Sequence, residues 1–148
     1  MKTEVRGEEM ESLHWINGQI TRTQNSLYML HLQLDEKRRD LERLVLAQAN
    51  LQENQEELKQ YKTWCTKPEL TGNTWAGHLA DQYEQWKEHT LFRSYIDLYD
   101  YQLTQTLEQL NDKIKETKQS IIDIRMDLST QSDILDDLYG KQRRELLN

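Results

Sequence analysis

The sequence predicts an all-α fold, a long antiparallel helical hairpin of coiled-coil type, and three observations predict it. Leu, Glu, Gln, Lys and Asp dominate a chain of 148 residues that is 30% charged, which is the composition of extended helices rather than sheets. Apolar residues recur in alternating steps of three and four along two long stretches, the period of coiled-coil packing. One cluster of helix breakers, "KPELTGNTWAGHLADQY" from 67 to 83, divides the stretches and holds the only proline of the chain.

The first helix is expected over about 8–65. Ile16, Ile20, Leu27, Leu30, Leu34, Leu41, Leu44, Leu51, Leu58 and Cys65 fall on its seam, with Thr23, Lys37, Gln48, Gln55 and Lys62 at the remaining seam positions. Gly18 costs about 1 kcal/mol against alanine inside a helix, so a start or kink is expected near Asn17-Gly18. The basic cluster Lys37, Arg38, Arg39 and Arg43 lies among Asp35, Glu36, Asp40 and Glu42 and reads as a salt-bridged surface.

The bend is expected at about 66–75. Gly72 and Asn73 tolerate positive φ, and Thr71 or Thr74 can cap the helix that follows. Gly77, lacking a Cβ, would let the facing helix or the Trp75 indole approach the backbone. Leu79, Ala80 and Tyr83, and then Trp86, continue a buried stripe into the second helix.

That second helix is expected over about 76–140. Ile96, Leu103, Leu107, Leu110, Ile114, Ile121, Ile124, Leu128, Leu135 and Leu138 form its seam, interrupted by Asp100, Thr117 and Gln131. Gly140 with Lys141, Arg143 and Arg144 reads as a C-terminal stop, the basic residues suiting the helix dipole. Residues 1–148 are thus expected to form a single hairpin domain. One such hairpin buries only a stripe of each helix, so a four-helix bundle completed by a partner, or by a second copy when alone, is the expected assembly.

Composition excludes several functions. A net charge of −7 opposes nucleic-acid binding, which needs a basic face. No apolar run is long enough for a membrane helix, and the N-terminal "MKTEVRGEEMES" has no apolar core of a cleavable signal peptide. The lone Cys65 fits a reducing cytoplasm. His14, His31, His78 and His89 show no metal-ligand spacing beyond a single Glu11-x-x-His14, and no phosphate loop or triad is present. The expectation is a non-enzymatic cytoplasmic protein without metal or cofactor.

Nine of the twelve aromatic residues lie between 61 and 101, so the hairpin has an aromatic end. These rings either close the bend as a local core or form a recognition patch, with Trp64, Trp86 and Phe92 as the docking candidates. The partner-binding seam is expected to use Leu27, Leu30, Leu34, Leu41 and Leu44 with Leu103, Leu107, Leu110, Ile114 and Ile121. Lys37, Gln48, Gln55 and Lys62 weaken a self-made coiled coil and can set register with a complementary partner.

A helix-turn-helix of this size with Trp-x-Gly in its bend resembles the WXG superfamily of small proteins handled by type VII secretion systems. More specifically it is similar to the YwqH-like family, with Pro68, Leu70, Trp75, Gly77, Ala80 and Tyr83 at the matching positions. The resemblance implies a partner, chaperone or targeting factor for the helical N-terminal region of an LXG-type toxin of a Gram-positive type VIIb system. A second small WXG-like protein is an implied further partner, and co-export with the toxin an implied fate. The chain lacks the C-terminal Tyr-x-x-x-Asp/Glu export signal common in such substrates. The alternatives are a self-associating coiled-coil scaffold or spacer and an immunity protein.

Overall fold

The structure is a computed structural model that describes residues 2–66 and 77–148, with side chains described for 12–64 and 77–148. Pro68, Leu70 and Trp75 therefore lie outside the described residues, as does the Cys65 side chain. Helix α1 spans Lys2–Gln60 and is followed by a 3-10 turn, Lys62–Thr66. The chain then runs helically from Gly77 to Leu147 as α2 (Gly77–Trp86), a first π turn (Lys87–Phe92), α3 (Arg93–Ile96), a second π turn (Asp97–Gln102) and α4 (Leu103–Leu147). Among the described residues there is no strand. The fold is an all-α helical hairpin.

Two compact units make up the chain, Met1–Leu41 with Glu116–Asn148 and the central Glu42–Lys115. In the terminal unit, α1 and α4 run antiparallel around a core of Ile16, Ile20 and Leu138, with Leu135 and Tyr139 packed on it. Side-chain amides tie the two helices there. Gln24 Nε2 donates to Tyr139 Oη at 2.8 Å, and Gln142 Nε2 donates to Asn17 Oδ1 at 2.8 Å. Thr23 occupies a seam position without an orphaned hydroxyl, because Oγ1 donates to the Gln19 carbonyl at 2.8 Å.

The heptad seam is visible residue by residue. Every α1 seam position from Ile16 to Leu58 is buried or half-buried, as is every α4 position from Leu103 to Leu138. The residues between them are mostly exposed, which is the narrow stripe a 3.5-residue period produces.

Gly18 and Gly140 depart from expectation. Gly18 does not start α1, which runs through it from Lys2 to Gln60, and Gly140 does not end α4, which continues to Leu147. A Cβ at either position would meet nothing within 4 Å; their cost of about 1 kcal/mol each is absorbed by helices long enough to carry it. The basic cluster at Lys37–Arg43 also behaves differently, since it forms no ion pair among the described residues. Fully solvated pairs gain little and lose side-chain entropy when fixed, so the charges stay apart.

Candidate functional site

The central unit departs most from a regular coiled coil. A π turn holds one more residue than an α turn, so each of the two π turns shifts the inward stripe by one position. Counting back from Leu103 at 3.5 residues, an unbroken α-helix would turn Asp100, Ile96, Arg93, His89, Trp86, Gln82 and Leu79 inward. Instead Tyr99, Lys87 and Ala80 are buried and Tyr95, Phe92 and Tyr83 half-buried. The second π turn exchanges Asp100 for Tyr99, and the first brings in Tyr83 and Ala80 in place of Gln82 and Leu79.

This overturns the expected stripe through Leu79 and Trp86, which are 63% and 50% exposed. Sequence periodicity missed the shift because i→i+5 bonding leaves no compositional mark. The one signal was Asp100, a carboxylate on an apolar seam directly after a tyrosine.

A π turn also frees backbone groups. The amide of Leu103 reaches back to the Leu98 carbonyl, leaving the Tyr99 carbonyl without that α-helical donor. Gln55 supplies one from the facing helix: Nε2 donates to Tyr99 O at 2.6 Å and to Thr104 Oγ1 at 3.0 Å. Tyr95 Oη donates to the carbonyl of Leu58, in the last turn of α1 where carbonyls lose their intrahelical partners. Tyr95 and Tyr99 meet edge to face, centroids 5.7 Å apart, so this tyrosine pair both fills the stripe and closes backbone bonds.

Lys87 is the most buried of these residues, at 3% exposure. Burying an ammonium is costly unless it is paired. Its Nζ donates to both carboxylate oxygens of Glu84, at 3.0 and 2.9 Å, and lies 5.7 Å from the Tyr83 ring centroid. Glu84 keeps 36% of its side chain exposed, so one end of the pair stays wet.

Gly77, the described part of the bend motif, opens α2 at φ +58°. Nothing among the described residues lies within 4 Å of a Cβ placed there. Its left-handed backbone favours glycine whatever the space around it, while the Trp75 indole, one of the expected close neighbours, lies outside the described residues. Of the docking candidates, Trp64 is 70% exposed and stacks edge to face on Tyr61 at 5.8 Å. Trp86 is tilted against Tyr83 at 6.1 Å, while Phe92 turns partly inward.

The ten residues expected to bind a partner along the seam sit within the packing of their own units. Leu34, Ile114 and Ile121 are buried and the other seven half-buried. Other apolar residues are left outside. Leu79, Trp86, Leu91 and Leu98 each precede an inward position, Ala80, Lys87, Phe92 and Tyr99, and all four are exposed. Leu98 opens onto a groove of about 350 Å³ whose walls are Leu51, Leu58 and Tyr61 on one side and Leu103 on the other, with Asn54 and Glu57 at the edge.

Among the described residues no cluster of three His, Cys, Asp or Glu could hold a metal ion, and no helix is long and apolar enough to cross a membrane. No protein-family model, curated protein or solved structure matches the chain.

Proposed function

We propose that this protein is a non-enzymatic partner, a chaperone or targeting factor, for the helical N-terminal region of an LXG-type toxin exported by a type VIIb secretion system. The observation that carries the reading is the Trp75-x-Gly77 motif placed in the single interruption between two heptad helices. The hairpin architecture is compatible with such a role, and so is the exposed surface. The chain leaves 11551 Å² accessible, against about 8,000 Å² for a compact monomer of its size. That surplus exceeds what one side of a large obligate interface covers, roughly 1,000–2,500 Å² per partner. A toxin's amphipathic helices are a suitable cover, and the proposed site of action is the producer's cytoplasm before export, with a second small WXG-like protein completing the assembly.

The test is co-expression with the helical region of a toxin encoded beside this chain. Co-purification of the two, lost in Trp75→Ala while the circular dichroism spectrum is kept, is the expected result. A chain that stays alone in solution beside that region sinks the reading. A stable homo-oligomer indifferent to Trp75→Ala would point to the scaffold alternative.

A further inference from the structure

We infer that the exposed stripe Leu79, Trp86, Leu91 and Leu98, with the leucine groove beside Glu57, is the seat of one amphipathic helix bearing aliphatic residues at heptad spacing and lysine or arginine at its flank. The inference rests on the reading that the chain binds helical partners, and it adds where and by what chemistry.

The stripe has helical spacing. Leu79 to Trp86 and Leu91 to Leu98 are seven residues apart, two helical turns each, and the five-residue step between them crosses the first π turn. A helix laid alongside would therefore meet one apolar side chain about every two turns, the repeat a heptad offers. The residues filling the stripe, Gln82, Thr90, Ser94 and Gln102, carry no charge in a chain that is 30% charged. The charged neighbours Asp81, Glu88, Arg93 and Asp100 follow the inward positions and so lie on the opposite flank.

Charge selects the occupant. Glu57 lines the groove and has no cationic partner among the described residues; the nearby Lys59 pairs with Glu56 at 3.8 Å. Asp97, one residue before Leu98, accepts only the neutral Gln102 amide, at 2.9 Å. A cation brought to this edge would meet these two exposed carboxylates favourably, whereas a further carboxylate would be repelled. A second copy meeting the groove through the same surface would bring Glu57 and Asp97 against their own counterparts, in a chain of net charge −7. Like charges across a contact suppress that pairing.

The experiment titrates the full chain against two fluorescent four-heptad peptides with leucine at the core positions. One carries lysine at the flanking positions, the other glutamate, and anisotropy reads binding. The lysine peptide is expected to bind at least about tenfold tighter than the glutamate peptide, and Leu98→Asp to cost at least about tenfold. Glu57→Lys should reverse the preference between peptides. Trp86→Gln, at a half-exposed ring, should weaken binding with the fold intact and serves if Leu98→Asp does not fold. Equal affinity for the two peptides, no binding of the lysine peptide, or indifference to Leu98→Asp and Trp86→Gln overturns the inference. So does sedimentation showing a dimer that Leu98→Asp turns into a monomer, since a second copy then fills the groove.

The two readings fail separately. A toxin region captured equally well by the wild type and by Trp86→Gln removes the groove and leaves the chaperone role standing. A lysine peptide that binds as expected beside a toxin region that is never captured does the reverse.

Discussion

Gln55→Leu offers a test whose sign is decisive. On heptad logic alone, a glutamine at a core-facing position is a defect, and leucine should stabilise the protein. The structure gives the opposite answer. Gln55 Nε2 makes two hydrogen bonds across the helices, at 2.6 Å to the Tyr99 carbonyl and at 3.0 Å to Thr104 Oγ1. Each is worth about 0.5–1.5 kcal/mol net, and leaving the part-buried carbonyl unmet costs about 1–3 kcal/mol in place of the first. A half-buried leucine returns about 1 kcal/mol of apolar transfer. The balance is a loss of about 1–2 kcal/mol.

For a chain of this size that loss lowers the Tm by roughly 2–8 °C. Thermal unfolding followed by circular dichroism reads it, with Gln48→Leu as the control. Gln48 occupies an equivalent seam position and has no hydrogen-bond partner among the described residues, so its replacement should raise the Tm. If Gln55→Leu is as stable as Gln48→Leu, the π turn at Asp97–Gln102 does not depend on the facing amide and the reasoning fails.

Gly77→Ala should cost about 1–2 kcal/mol because its backbone is left-handed, whereas Gly18→Ala and Gly140→Ala should each gain about 0.5–1 kcal/mol in open helix interiors; urea midpoints of the three variants separate the cases. Glu84→Gln removes the carboxylate that the buried Lys87 ammonium meets at 2.9 and 3.0 Å and should lose about 2–4 kcal/mol, less than a fully enclosed pair because Glu84 is partly solvated. Adding Lys87→Met to Glu84→Gln should restore most of that stability, and a double-mutant cycle in urea would expose the coupling. Thr23→Val should be nearly neutral in the same assay, because the hydroxyl it removes bonds only within its own helix.

Much of the hairpin was legible from the spacing of leucines. Positions such as Leu34, Ile114 and Ile121 face inward because a 3.5-residue repeat has one solution for which side of a helix is dry. The central unit was not legible in that way. Tyr99, Phe92 and Lys87 reach the interior only after two π turns rotate the stripe, and π bonding has no residue signature. Leu79 and Trp86 look like seam residues by spacing and are exposed for that reason. Gln55 looked like a weak point of the coiled coil because its partner, a backbone carbonyl released by the second π turn, is invisible in sequence. Gly77 could be read as unusual, but whether space or backbone handedness required it depended on φ.

The two π turns also bear on how such a chain can vary. Each stores a surplus residue inside a helix that continues undisturbed on either side. Removing that residue would turn every side chain before it by about 100° while leaving the Leu103, Leu107 and Leu110 seam where it is. A one-residue deletion at 87–92 would therefore swap the outward Leu79 and Trp86 for a different set of side chains without a single substitution. Length changes at these turns act as a selector of what the aromatic end displays, separable from the heptads that hold the hairpin closed.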